Sequence, residues 1–507
     1  MENIVTMNAL TTIVLAATLS SSMVQRYDTV ESKKLVPMLS EVIQFDTYAN
    51  NSDAFDRQKA WLTKTATDLG FTVRDAGKIT EIELPASVPD APVLGLVIHG
   101  DVQTVDADAW SFPPFGGVVK DGCVMGRGAA DDKGPLVQAL LAMKVLKESG
   151  ATRTHTVRLL VGSEEESSAG EMKEYLEKHA PPDYSLVLDS EFPVVVGEKA
   201  WDALTLSTTL APRAPADEFP YRVDTLYGGL GASIVPDNAH LKLIWKEGSA
   251  VNWDPLIAKL KSVKLPDGTR LVTGAEGDRL HIVTYGKAAH SGVNLSGGRN
   301  AIYALAKAVE GLVPAGGARD LIDFARMAGQ DLTGSGLGIT DRDPVWGTYG
   351  VNVATIKIDP NDETKTALTI NLRRIPPRTG PQLKAQLEKV VADFNAKSGA
   401  SLVAGGYFED EPFGRPVDAP LVKRLMTIYE KATGTKAKPA ISGGGTYAKR
   451  LPNAIAFGMW FPGKPYPGHD VDEKISIDDL QKGTRVLIYA LTDLATGKKI
   501  EHPFKAP

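Results

Sequence analysis

The sequence predicts an α/β fold: a mostly parallel, covered sheet, discontinuous in the chain, with an α+β domain inserted into it. Three observations carry this. From about Tyr27 to Ala200, strand-like and helix-like stretches alternate, as parallel strands require because each needs a crossover connection. After about Leu206 the pattern changes to shorter alternating strands interrupted by Gly and Pro, and from Ala419 the first pattern resumes. At 507 residues the chain is also too long for one ordinary core. The expected boundaries are 26–206 with 411–507 for the discontinuous domain and 207–410 for the insert.

The elements follow in order. Segments 34–45 and 55–69 have helical spacing, and 72–74 and 81–84 read as short strands. The apolar runs 93–98, 157–161 and 186–188 have strand length. Helix 136–146 is opened by Gly134-Pro135, with proline suited to a first helical turn, and 171–178 is amphipathic. In the insert, 281–285, 350–358 and 367–372 read as strands, and 300–312 and 381–398 as helices. The chain then returns through a helix at 419–433 and a strand at 454–461.

A composition of 43% hydrophobic and 23% charged residues is that of a globular protein. The net charge of -6, with no basic stripe or tail, excludes an electrostatic case for nucleic acid. One cysteine, Cys123, excludes an intrachain disulfide and a thiolate zinc cluster. No segment reaches a transmembrane length, so no membrane partner is expected. Segment 9–23 is small and apolar, but the residues before it carry Glu2 and no Lys or Arg. Residues 1–25 therefore read either as an export signal or as a first helix, which leaves cytoplasm and periplasm both open.

Chemistry gathers at strand ends. The run 93–98 leads into His99-Gly100-Asp101, 157–161 into Glu164-Glu165-Glu166, 186–188 into Asp189, and 454–461 towards His469-Asp470. Asp131 and Asp132 stand at the mouth of a helix. In open α/β sheets ligands bind at the carboxyl ends of the strands. Helix capping would explain one of the two aspartates, whereas a carboxylate between two cations can bridge them. Three adjacent glutamates repel one another unless a cation collects them, and such a run can divide labour between a metal ligand and a general base. Asp101, two residues beyond His99, is placed to fix the imidazole tautomer. Of the eight histidines, His155, His179, His240, His281 and His502 sit in plain contexts. Nitrogen and oxygen donors without sulfur suit Zn²⁺, with Mn²⁺ or Co²⁺ as substitutes.

Eight stretches in order resemble the aminoacylase/carboxypeptidase G superfamily of di-zinc peptidases, and within it the dipeptidase V and carnosinase branch. They are VIHGDVQTVDADAW, MGRGAADDKG, GSEEES, LDSEFPVVVGEKA, YGKAAHSG, INLRRIPP, SGGGTYAKRLPNAIAFG and GHDVDEKI. The resemblance implies a catalytic domain with an inserted lid and two zinc ions per chain. His99, Asp131 and Asp189 would hold one ion and Asp131, Glu166 and His469 the other. It implies Glu165 as general base, Asp101 orienting His99, and His290 stabilising the oxyanion. Arg373, beside Arg374, would clamp the substrate's C-terminal carboxylate, aided by backbone N–H groups of the turn at Gly444, Gly445 and Thr446. The Glu165/Glu166 register rests on the following Ser167. Ser233 stands where dipeptidase V-like members carry asparagine, which bears on substrate preference. The expected function is hydrolysis of dipeptides, including Xaa-His or carnosine-like ones, by a monomer or homodimer. An N-acyl-amino-acid amidohydrolase or a carboxypeptidase is the alternative on the same fold, and a silent binding protein the alternative in another class.

Overall fold

The computed structural model describes residues 18–211, 213, 219–248, 250–466 and 468–505. The chain divides into two compact units, Met1–Glu198 with Phe413–Pro507, and Lys199–Pro412. Of the segment expected to be signal or helix, residues 1–17 lie outside the described residues. Residues 18–26 are helical, and Met23 is buried in the first unit's core.

The first unit is built on a sheet in the order Thr72–Ala76, Ile79–Leu84, Thr156–Gly162, Val93–His99, Tyr184–Val187, Ala454–Ala456, Val195–Glu198, Phe413–Gly414. Its four central strands, from Thr156–Gly162 to Ala454–Ala456, are mutually parallel, and antiparallel pairs flank them. Side-chain alternation gives the sheet two buried faces. Leu94, Leu96, Ile98, Leu159 and Leu186 pack in a large core with Leu136–Leu146 side chains and those of helices Pro420–Thr433 and Ile477–Thr496. Val97, Leu160 and Val187 point the other way, onto Met172 and Tyr175 of helix Gly170–Lys178 and onto Tyr447. Helices thus cover both faces, as the near-continuous apolar character of the central strands demands.

The second unit is an eight-stranded antiparallel sheet, ordered Arg270–Glu276, Arg279–Tyr285, Asn238–Trp245, Tyr221–Gly228, Gly350–Asp359, Asp362–Arg373, Trp201–Thr209, Val403–Asp410. Helices Asp254–Ser262, Ala301–Ala308, Gly317–Ala328 and Gly380–Ser398 contribute to its single core. The last helix opens with a capping box between Thr379 and Gln382.

Three expectations need correction. The first boundary is at 198/199 rather than 206/207, because strand Trp201–Thr209 pairs with Asp362–Arg373 and Val403–Asp410 inside the second unit's sheet. The second boundary is at 412/413 rather than 410/411. The single strand expected at 454–461 is two short strands, Ala454–Ala456 and Met459–Trp460, separated at Gly458, whose φ is 77°. The break mirrors its neighbour: Ala454–Ala456 pairs with Tyr184–Val187, Met459–Trp460 pairs with Ser190–Glu191, and between those two partners lies Asp189.

Candidate active site

Because the strands Val93–His99, Thr156–Gly162 and Tyr184–Val187 are adjacent and parallel, their carboxyl ends lie side by side. His99 is in register with Gly162, and Val97 with Val187. The residues just beyond them, His99, the glutamate turn and Asp189, are thereby delivered to one edge of the sheet.

Asp131 sits at the centre of this cluster. Its Oδ1 lies 2.9 Å from Nε2 of His99, while its Oδ2 lies 3.3 Å from Nε2 of His469. Nε2 of His469 is also 2.8 Å from Glu166 Oε1, and Nε2 of His99 is 3.9 Å from Asp189 Oδ2. Two donors of one tetrahedral zinc stand roughly 3.3 Å apart, which is the range of these separations. Among the described residues, two groups of donor atoms fall within 4.8 Å of one another: His99 with Asp131 and Glu166, and His99 with Glu165 and Asp189. The Glu165 carboxylate therefore stands within reach of the same centre as the candidate ligands.

The glutamate run is sorted by its hydrogen bonds. Glu164 turns outwards to an ion pair with Lys78 at 2.6 Å, and its N–H donates to the buried Glu171 at 3.0 Å. The Asp101 carboxylate accepts the N–H of Glu165 at 3.2 Å and of Glu166 at 2.9 Å. Only Glu165 and Glu166 remain for the cluster. Gly162 is required here for space, since a Cβ would collide with the Tyr447 hydroxyl that donates to Glu171.

Asp101 does less for His99 by its side chain than the sequence suggests. Nδ1 of His99 lies 2.9 Å from the main-chain carbonyl of Asp101 and 3.4 Å from its Oδ1. The carbonyl sets the imidazole, and the carboxylate holds the glutamate turn. Neither aspartate of the pair is a helix cap. Asp132, in the N-cap position of helix Lys133–Glu148, makes no capping bond and instead accepts the His99 N–H at 3.2 Å.

The charge balance tests whether a metal fits. Burial, reinforced by neighbouring negative charge, pushes the carboxyls of Asp132, Glu165 and Asp189 well above their ordinary range. Burial alone would lower the two histidines. The adjoining carboxylates outweigh it, so His99 is raised well above its usual value and His469 to about 10. The cluster is an excess of buried negative charge that takes up protons where no other cation neutralises it. Protons and divalent cations compete for the same imidazole and carboxylate atoms. The donor set, nitrogen and oxygen only, fits Zn²⁺, Mn²⁺ or Co²⁺.

The second unit holds the other candidates. Nδ1 of His290 accepts the N–H groups of Gly292 at 2.9 Å and Val293 at 3.1 Å, which leaves the proton of a neutral ring on Nε2. Arg373 is buried. Its Nε donates to Asn371 Oδ1 at 3.1 Å and its Nη2 to Ser291 Oγ at 3.0 Å. Its neighbour Arg374 is committed elsewhere, forming paired bonds to the buried Asp202 at 2.9 and 3.2 Å and further bonds to Glu411. Ser233 Oγ accepts the Trp201 indole N–H at 2.9 Å.

The turn at Gly444, Gly445 and Thr446 requires a correction. The Thr446 N–H and hydroxyl are paired with the buried Glu198 at 3.0 and 2.7 Å, and the Gly444 N–H donates to Ser442. Those two N–H groups are satisfied within the fold, and a carboxylate already occupies one end of the turn. Of the histidines set aside from the sequence, His155 is buried between Thr154 and Tyr184, and His240 bonds to His281 at 3.1 Å. Sequence reasoning missed Gln103, which donates to Glu166 Oε2 at 3.0 Å, and Glu473, whose carboxylate accepts the Asp131 N–H at 3.2 Å. Both lie within the quoted motifs, which was the one available signal.

A protein of Bacillus subtilis (strain 168) named "Putative dipeptidase YtjP" is 29% identical over 406 residues, covering 80% of this chain and 83% of that one. The structure is similar in fold to human carnosine dipeptidase 1, with a TM-score of 0.58, 14% identity and coverage of 93% of this chain and 98% of that one. It is equally similar to the di-peptidase Dug1p of Saccharomyces cerevisiae, with a TM-score of 0.58, 12% identity and coverage of 94% and 98%. The family model for peptidase family M20/M25/M40 matches residues 95–493. That span takes in most of the chain and every residue of the cluster from His99 to His469, so the chain belongs to peptidase family M20/M25/M40.

Proposed function

We propose that this family member is a dipeptidase that works with two zinc ions per chain. The observation that carries the metal half is Asp131, whose two oxygens face two different histidines in a buried cluster with surplus carboxylates. In this reading His99, Asp131 and Asp189 would hold one ion, and Asp131, Glu166 and His469 the other. When bound, the ions supply Lewis acidity towards the peptide carbonyl and lower the pKa of water. Glu165 takes the proton of the attacking water and passes it to the leaving amine, a task suited to a carboxyl that burial has raised. His290, with its proton on Nε2, donates to the developing oxyanion. Arg373, its guanidinium held by Asn371 and Ser291, binds the C-terminal carboxylate, a task suited to a guanidinium. Thr446 is left out of that role because Glu198 already occupies it.

The dipeptide preference is supported by the family and by the name of the Bacillus subtilis relative. The test is a substrate panel on zinc-loaded protein: Ala-His and other dipeptides, tripeptides, and N-acetyl-amino acids. Dipeptides should turn over, with activity lost to a chelator and restored by zinc. Turnover of N-acetyl-amino acids alone would replace this reading with an amidohydrolase.

A further inference from the structure

Glu473 is fully buried, four residues beyond His469. One carboxylate oxygen accepts the N–H of Ala130 at 2.8 Å and that of Asp131 at 3.2 Å. The other accepts from Nη1 of Arg127 at 2.8 Å. The Gly126 N–H donates to the Glu473 carbonyl at 2.9 Å. Arg127 is itself buried, with its guanidinium 5.2 Å from the centre of the Trp110 ring and its N–H bonded to the Pro114 carbonyl at 2.7 Å. A buried ion pair carries a desolvation cost that its own attraction scarcely offsets, so it adds little to folding stability unless the geometry serves another end. Here every bond of the carboxylate falls on the 127–131 turn, including the backbone of Asp131 itself.

We propose that Glu473 is a positioning residue: with Arg127 it ties the segment that carries His469 to the turn that carries Asp131, and so holds the Asp131 carboxylate between His99 and His469. It touches neither substrate nor ion and acts through Asp131. A bridging aspartate has to present both oxygens at once, so a small rotation of its backbone spoils two ligand sets together. This inference rests on the metal reading of the cluster given above.

The test measures zinc affinity of the metal-free full chain by competition with a chromophoric chelator, alongside thermal unfolding of the metal-free protein. Replacing outer partners of metal ligands weakens affinity by about 10–100-fold, and Glu473→Gln should do the same while the metal-free protein keeps its circular dichroism spectrum. Glu473→Asp keeps the charge but withdraws the carboxylate from the Asp131 N–H. It should also lose at least about tenfold, and it decides the matter if Glu473→Gln does not fold. The comparator is Glu81→Gln: Glu81 is likewise a buried carboxylate of the first unit, but it pairs with the half-exposed Arg74 and does not contact the Asp131 turn. It should lower the unfolding temperature and leave zinc affinity unchanged. Wild-type zinc affinity in a folded Glu473 variant would overturn the proposal. Failure of the wild-type chain itself to bind zinc would instead remove the metal reading on which it stands.

Discussion

In the first unit, buried carboxylates crowd around two histidines, and their negative charge outweighs burial and raises both imidazoles. In the second unit the opposite holds. His290 has its proton assigned by two backbone N–H groups, and Arg373 is oriented by the neutral oxygens of Asn371 and Ser291. One region is a dense set of carboxylate and imidazole donors suited to gathering cations. The other is preorganised, with donors set before any ligand arrives. The difference separates the two requirements of the proposed chemistry: an assembled charge centre, and fixed donors for an anion.

The largest expected effect tests the first region. Glu165→Ala should lower kcat by about 10²–10⁴-fold, the range of general acid–base catalysis, with zinc content unchanged by elemental analysis. Retained turnover would show that the raised carboxyl beside His99 and Asp189 is not the base. Next comes a contrast between adjacent arginines. Arg374→Met leaves the buried Asp202 without its partner and should cost about 3–5 kcal/mol of stability in thermal or denaturant unfolding. Arg373→Lys should leave stability nearly unchanged and raise KM by roughly tenfold or more, as loss of a charged hydrogen bond does. If the two phenotypes exchanged, the binding role would belong to Arg374.

His290→Ala should reduce kcat by about 10²–10³-fold, as removal of an oxyanion donor does, with metal affinity intact. A fall in metal content instead would erase the distinction between the two regions. The smallest effect concerns a histidine in neither set. Burial lowers the His155 pKa below the ordinary 6.5, whereas carboxylates raise those of His99 and His469. As pH falls through about 6.5, the unfolded chain takes up a proton that folded His155 refuses. Its contribution to stability is therefore present above that pH and lost below it. His155→Gln should flatten this part of the stability–pH curve, and an unchanged slope would show that burial alone does not set the ring's pKa.

How much was legible varies residue by residue. His99, the glutamate run, Asp189 and His469 could be picked out because each follows an apolar strand, and period and composition are local properties of the chain. The interruption at Gly458 was not visible, since it reflects a break in a partner strand that is distant in sequence. Likewise, nothing local tells Arg373 from Arg374. Their separation depends on which side of strand Asp362–Arg373 meets Ser291 and what lies beside its end.

By itself, then, the sequence determined the fold class, the discontinuous arrangement, the family and the residue types of the cluster, all of which follow from hydrophobic patterning and motif order. Only the tertiary structure decided that Asp131 faces both histidines, that the Asp101 carboxylate holds the glutamate turn rather than His99, that Glu198 occupies Thr446, and that Glu473 secures the Asp131 turn. These are hydrogen bonds between residues far apart in the chain, such as Glu473 with Arg127, 346 positions apart. Donor and acceptor can be named from sequence, but their pairing is fixed by strand register and by which groups burial leaves without water.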